Sequence, residues 1–454
     1  MDVNMKMASK SNINLLSGLA KLIMFLLLGL TMVFGRSFVG LMFGQYRLGE
    51  IYIGIGLLIS LIFVLINKKR IESFYVSNLQ FYSHKLIVIS FFIIVLAGSS
   101  NLADTYTYKS SSYIWSVSFL YLGSLLLLNK NKRSDRVYYL FLFVPLVTYL
   151  FASGNYPNIF IDFFKENSDK FQFLKASDLF LSYAAVNFLN KFIIESKDLR
   201  VLYFLCTSSL FLPILLYASR GSFMGVLIYI IFELYYLKNY ILDNKTKFFV
   251  FLLISSLFFV FSLLRVDRTI TSETTEPISI SEKLTSEYIS DSLQQISERR
   301  ETAKVFLSFY INEDGYLDSW DATTSWRLDI WQDVFYDMVE DDLLFKGYAY
   351  NEIFPAMLDP TAPGRIGRDG LNEHIHNYFM NIFARGGALQ LILFAVFHYS
   401  IYLYWFQKHR NRQILIFIIP SFFVSALDIT MEGAHYPFIY YIFLYIFLNK
   451  PSKV

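Results

Sequence analysis

Apolar stretches close to a bilayer's thickness recur along almost the whole chain, and no other feature restricts its fold as strongly. A bilayer core takes roughly 17 to 25 apolar residues per helix. Such stretches lie near 14–34, 50–66, 85–99, 113–128, 137–153, 174–195, 199–217, 221–237, 246–264, 387–406, 412–428 and 435–449. With 55% of residues hydrophobic and only 17% charged, an ordinary soluble domain is excluded. The expected fold class is an all-α polytopic membrane protein with about 12 transmembrane helices. Three parts follow: spans one to nine in 1–264, a large loop in 265–376, and an interfacial helix with spans ten to twelve in 377–454.

Charge decides which side each loop faces. Lys and Arg concentrate in alternate loops: Lys68, Lys69, Arg70 and Lys85; Lys130, Lys132, Arg133 and Arg136; Lys191, Lys197 and Arg200; Lys238, Lys245 and Lys247; Lys408, Arg410 and Arg412. The positive-inside rule makes these loops cytoplasmic. Both termini are then expected in the cytoplasm, with Lys450 and Lys453 near the end of the chain. The first stretch follows Lys6 and Lys10 but runs on to Gly35-Arg36 without a small-residue cleavage pattern, so an uncleaved first span is expected. Cys206 is the single cysteine and falls within a predicted helix, which rules out an intrachain disulfide and a thiolate metal site.

Residues 265–373 are the long exception, 109 residues holding 22 Asp/Glu against 10 Lys/Arg. That acidity places the loop between spans nine and ten on the extracytoplasmic side. Within it, 269–300 is rich in Ser, Thr and Glu and reads as loosely helical or mobile. By contrast SWRLDIWQDVFYDMV (325–339) spaces Trp326, Ile330, Val334 and Met338 four residues apart, an amphipathic helix. KGYAYNEI (346–353) and DPTAPGRIGRDG (359–370) read as turn or loop. An acidic exposed segment with no basic stripe excludes nucleic-acid binding, and Walker and Rossmann glycine loops are absent. No internal repeat is visible, which weighs against a transporter built from inverted repeats.

Several residues could carry chemistry. Arg220, in the very short outer turn YASRGSFMG (217–225), runs against the positive-inside bias; it either snorkels to headgroups or grips an anion at the membrane edge. Arg327, beside Trp326 and Trp331, either bridges to Asp329 or Asp333 or joins an anion site. Arg265 and Arg268 follow span nine, and Arg365 and Arg368 precede the histidines. His374 and His376 would point about 200° apart on a helix, so only one could serve a given site; either is a structural hydrogen-bonding group or a general base. No HExxH and no suitably spaced third ligand occur, so no metal is expected.

SRGS (219–222), SWRLDIWQDV…LLFKGYAY (325–350) and HIHNYFMNIFARGGALQLILF (374–394), in this order and sidedness, resemble the O-antigen ligase and O-antigen polymerase (Wzy-type) superfamily. The resemblance is firmest over roughly 200–400. It implies a bacterial inner-membrane glycosyltransferase whose active site faces the periplasm, with an undecaprenyl-diphosphate-linked oligosaccharide as donor, an acceptor glycan or lipid A-core, and neither cofactor nor metal. A chain-length regulator is among the partners it implies. Arg220 and Arg327 correspond to diphosphate-binding residues and His376 to the base that deprotonates the acceptor hydroxyl, with inversion. His374, Asn377, Arg265 and Arg385 are accessory candidates, Arg385 read as either a snorkelling anchor or a further diphosphate contact. One departure is that the position sixteen after Arg220 is Tyr236 rather than Gly. A usage rich in Phe, Tyr, Ile, Asn and Lys, as in AT-rich polysaccharide gene clusters, tilts the expectation to polymerase; ligase, lipid-linked sugar flippase and protein oligosaccharyltransferase are the rivals.

Overall fold

The computed structural model describes residues 2–65, 75–97, 102–127, 132–169, 171–271, 308–313, 315–359, 374–428 and 430–449. Residues 68–70, Lys130, most of 269–300, the side chain of Arg268, Arg365, Arg368, Lys450 and Lys453 lie outside them. The first part holds α1 (Asp2–Val39), α2 (Leu48–Leu65), α3 (Asn78–Ala97), α4 (Thr105–Ser110), α5 (Ser112–Ser116), α6 (Phe119–Leu126), α7 (Val144–Ala152), α8 (Asn158–Asn167), α9 (Ala176–Ile193), α10 (Lys197–Ala218), α11 (Arg220–Asp243) and α12 (Lys245–Thr271). After these come α13 (Ala322–Glu340), α14 (Pro355–Leu358), α15 (Tyr378–His409), α16 (Leu415–Leu427) and α17 (His435–Asn449). Two short antiparallel hairpins, Met42–Phe43 with Tyr46–Arg47 and Phe309–Ile311 with Leu317–Ser319, and two 3-10 segments, Lys132–Phe143 and Thr430–Glu432, complete the described elements.

Among the described residues seven helices are long and apolar enough to cross a bilayer: Gly18–Val39 of α1, α2, α3, α10, α11, Lys245–Val266 of α12, and α15. The other five expected spans coincide with α5 and α6, with the 3-10 segment Lys132–Phe143 leading into α7, and with α9, α16 and α17. These are shorter, interrupted or more polar. Their burial explains the difference. Residues His435 to Leu448 of α17 are all buried, as is nearly all of α9, so both helices sit at the bundle centre, where burial all round replaces an apolar stripe. The periphery shows the reverse pattern. Leu58, Ile93, Leu253 and Leu257 project outward from α2, α3 and α12, as lipid-facing side chains do.

The loop segment has its own small core. Ile330, Val334 and Met338 are fully buried on one face of α13, against Phe354, Met357, Ile375 and Ala384. Burial of such side chains stabilises by about 1.5–3 kcal/mol each, which fixes α13 over the start of α15.

α15 is interrupted where the loop meets it. Gly387 has φ +64°, outside helical geometry, and the helix opens around it. Carbonyls of Ala384 and Arg385 accept from Tyr348 N (2.8 Å) and Ala349 N (3.0 Å), while Ala388 N donates to Leu344 O (2.8 Å). The loop backbone thus replaces bonds the helix gives up, as broken membrane helices require. A side chain at Gly387 would meet the Phe345 carbonyl. Tyr350 carries the connection into the main core: its hydroxyl lies 3.0 Å from Tyr113 Oη, which donates to Gln390 Oε1 (2.6 Å), and Gln390 Nε2 donates to Ser90 Oγ (3.1 Å).

Candidate active site

The segment His374–Asn377 is not helical, so the helical angle between its two histidines does not apply. Asn377 is the N-cap of α15, its Oδ1 accepting from Phe379 N (2.9 Å) and Met380 N (3.1 Å). His376, just before the cap, has φ +53°, a left-handed conformation that costs a non-glycine residue roughly 1–2 kcal/mol. Its surroundings hold it there. Ile375 is fully buried, its carbonyl accepts from Trp331 Nε1 at 2.7 Å, and the His376 ring lies 4.7 Å from that of Trp326. Trp326 and Trp331 of α13 therefore aim the imidazole.

Charge converges around this ring. Arg327, His374, Asp428 and Lys175 all act electrostatically on His376. Lys175 in turn is in the field of Arg36, Asp428, Asp178 and Arg327. These residues arrive from the ends of distant elements: Arg36 from the last turn of α1, Lys175 from the N-cap of α9, Asp428 from the C-cap of α16. His374 Nδ1 lies 2.9 Å from Glu432 Oε2, and His435 Nε2 lies 2.9 Å from Asp178 Oδ1 with both side chains buried. Burial first, and then the Arg327 guanidinium, hold the His376 imidazole down to about 4. At neutral pH it is uncharged with an open lone pair, a weaker base than an ordinary histidine.

Arg220 is the first residue of α11, separated from α10 by Ser219 alone. Its neighbour Gly221 is close to Leu427, where a Cβ would come within 3.3 Å, so Arg220 begins its helix beside the strand of chain carrying Asp428. Two helix N-termini, those of α11 and α15, thus open at this end of the bundle, and their partial positive charge favours an anion. Gly225 brings α11 against Phe180 of α9 in the same way.

The accessory candidates separate. Arg265 donates from Nε to Ser153 Oγ (2.5 Å) at the end of α7, with no described contact to the histidines. Arg385 is 2% exposed, so it does not snorkel to headgroups. Its guanidinium donates to the carbonyls of Glu352 (2.5 Å) and Ala349 (3.3 Å) and to Tyr106 Oη (3.1 Å), and stacks on Phe354 at 4.0 Å. Asn377 acts through its cap. Among the described residues no three His, Cys, Asp or Glu side chains gather as a metal site would need.

Sequence reasoning missed Lys175, Arg36, Asp428 and Glu432. A signal existed: Arg36 and Lys175 are basic residues at the ends of apolar stretches, and Asp428 and Glu432 are acidic residues at the end of and between the last two. Residues 205–395 match the family model described as O-antigen ligase, a segment that includes Arg220, Arg265, Arg327, His374, His376, Asn377 and Arg385 but leaves Arg36, Lys175, Asp428 and Glu432 outside. No curated protein and no solved structure gives a significant match.

Proposed function

From the match of residues 205–395 to the O-antigen ligase family model, we propose that this multi-pass protein is a membrane glycosyltransferase of the O-antigen ligase and polymerase superfamily, and within it a polysaccharide polymerase acting on undecaprenyl-diphosphate-linked repeat units. The observation that carries the reading is His376, held by Trp326 and Trp331 at the open ends of helices with Arg327 and Lys175 acting on it. Arg220 and Arg327 bind the donor diphosphate, and Lys175 and Arg36 add positive charge. His376 takes the proton from the acceptor sugar hydroxyl as its oxygen bonds to the anomeric carbon. The bond from that carbon to the phosphate oxygen breaks, and undecaprenyl diphosphate leaves with the electron pair. A single displacement of this kind inverts the anomeric centre. A lipid diphosphate is already a good leaving group, so charge stabilisation, orientation and one base suffice, without a metal or cofactor.

The site is read as periplasmic in the bacterial inner membrane, with both termini cytoplasmic. The basic turns between α9 and α10, α11 and α12, and α15 and α16 support this, since all lie at the bundle end opposite the histidines. The lipid tail then stays in the bilayer while the sugars project into water.

A second reading, transfer of the finished glycan to lipid A-core, is favoured by the description of the matching family itself. It differs in acceptor alone. Purified protein given a lipid-linked repeat unit separates the two: chain growth without core oligosaccharide supports the polymerase, and transfer only when core is supplied replaces it with the ligase. A protein acceptor added as a third arm tests oligosaccharyl transfer to protein. A flippase needs no such gathering of base and cations at one end, and binding without any transfer would be its signature.

A further inference from the structure

At the opposite end of the bundle from His376, α9, α10 and α11 enclose a cleft of about 90 Å³, closed on one side by Gln413. Its walls combine apolar Val201, Phe204 and Leu237 with Lys191, Lys197, Arg200 and Glu233. Glu233 is bound by Lys191, Nζ to Oε2 2.5 Å, with both side chains largely buried. That pair cancels, so the guanidinium of Arg200 and the ammonium of Lys197 leave the cleft positive. Arg412 is also close enough to act on Tyr236 in the wall.

Two residues that line this cleft each carry a buried polar atom without a hydrogen-bond partner: Arg200 Nε, a donor, and Asn190 Oδ1, an acceptor on a residue 2% exposed. Asn190 is held by its other end, Nδ2 donating to Arg200 O at 3.3 Å, which sets the orientation of its amide. Buried orphans of this kind are costly unless a ligand or a bound water satisfies them. The missing acceptor must suit a guanidinium, and the missing donor must suit an amide oxygen. An anionic oxygen and a hydroxyl on one molecule supply both.

We infer that this cleft binds a phosphodiester carrying a free hydroxyl, of the kind found in a glycerol-phosphate lipid headgroup. The phosphate oxygen accepts from Arg200, with Lys197 at the mouth, and the hydroxyl donates to Asn190 Oδ1. Val201, Phe204 and Leu237 border the headgroup with apolar surface, where the start of an acyl chain would lie. A soluble glycerol phosphodiester offers the same polar groups without the chain. The inference uses the reading of the chain as a membrane-spanning bundle and is independent of its catalytic role.

The test is the unfolding temperature of the full chain in neutral detergent, titrated with phosphatidylglycerol, phosphatidylcholine or glycerophosphoglycerol. Phosphatidylglycerol should raise the midpoint saturably, and phosphatidylcholine, lacking a free hydroxyl, should do so much less. A gain from the soluble diester equal to that from the lipid identifies the headgroup alone as the ligand; a gain from the lipid only identifies the membrane as its source. Arg200→Gln should weaken the apparent affinity on the order of tenfold or more, the loss of one charge-assisted bond. Lys197→Gln, at the exposed mouth, serves where Arg200→Gln folds poorly and should weaken it by a smaller factor. Equal gains from phosphatidylglycerol and phosphatidylcholine, or a phosphatidylglycerol response unchanged in both variants, overturn the inference.

Discussion

Replacing Arg327 by Gln should shift the acid limb of the pH–rate profile upward, because that guanidinium is the largest charge effect on His376 after burial itself. The wild-type expectation comes first. With its imidazole held down to about 4, His376 remains about 97% neutral at pH 5.5, whereas a histidine at the ordinary value of about 6.5 would be about 9% neutral. If the neutral ring is the base, kcat/KM changes little between pH 7.5 and 5.5; an unperturbed base would lose about tenfold. The direction follows from physics: burial and a neighbouring cation both disfavour the charged form, so protonation and loss of activity come only as pH falls toward 4. Removing the cation leaves burial in place. The limb should therefore rise yet stay below 6.5. Since kcat/KM reports the free enzyme, the donor's charge does not confuse the reading, and a diphosphate esterified at both ends lacks the monoester proton that titrates near about 6. The assay is transfer from a lipid-linked repeat unit by purified protein at subsaturating donor, between pH 4.5 and 8. A wild-type limb near 6.5, or a limb that Arg327→Gln leaves in place, would refute the reasoning. A lower rate in the variant is expected in either case and carries no weight.

Three further outcomes follow from the same geometry. Arg385→Met should destabilise the purified protein by about 2–4 kcal/mol, because the carbonyls of Ala349 and Glu352 lose their buried donor; Arg385→Lys should restore little, since an ammonium lacks the planar fork, and denaturant unfolding in detergent checks both. Gly387→Ala combines a φ of +64° with a Cβ facing the Phe345 carbonyl, so the loop should undock from α15 and limited proteolysis should cut near 344–349 sooner than in the wild type. Ile330→Ala on the buried face of α13 should cost about 2–5 kcal/mol of local stability and lower transfer by loosening Trp326, with faster amide exchange in α13 as the check.

The sequence carried more of the scaffold than of the site. The four-residue spacing from Trp326 to Met338 identified α13 and its buried row, because amphipathic periodicity is local. The turn at Arg220 was legible for the same reason, as two apolar stretches leave room for almost nothing between them. Periodicity misled at His374 and His376, where the Asn377 cap and the left-handed backbone of His376 hold the segment out of the helix. It also missed the break at Gly387, whose cause is a loop forty residues earlier donating its backbone. Arg385 followed from that break: the loop carbonyls brought against the opened helix bind a guanidinium that the sequence would send to the bilayer surface. Lys175, Arg36, Asp428 and Glu432 reach the site by tertiary packing of helix ends, and no local pattern joins them.

His376→Gly separates the proposed base from the scaffold most directly, because the left-handed backbone at this position suits glycine and the fold should persist. Transfer from the lipid-linked repeat unit should fall by about 100-fold or more, the usual contribution of a general base, with the unfolding midpoint close to that of the wild type. His374→Gln, with its partner Glu432 in place, should keep most of the activity. Glycan chains of wild-type length made at wild-type rate by a folded His376→Gly protein would contradict the assignment of the base and, with it, the proposed mechanism.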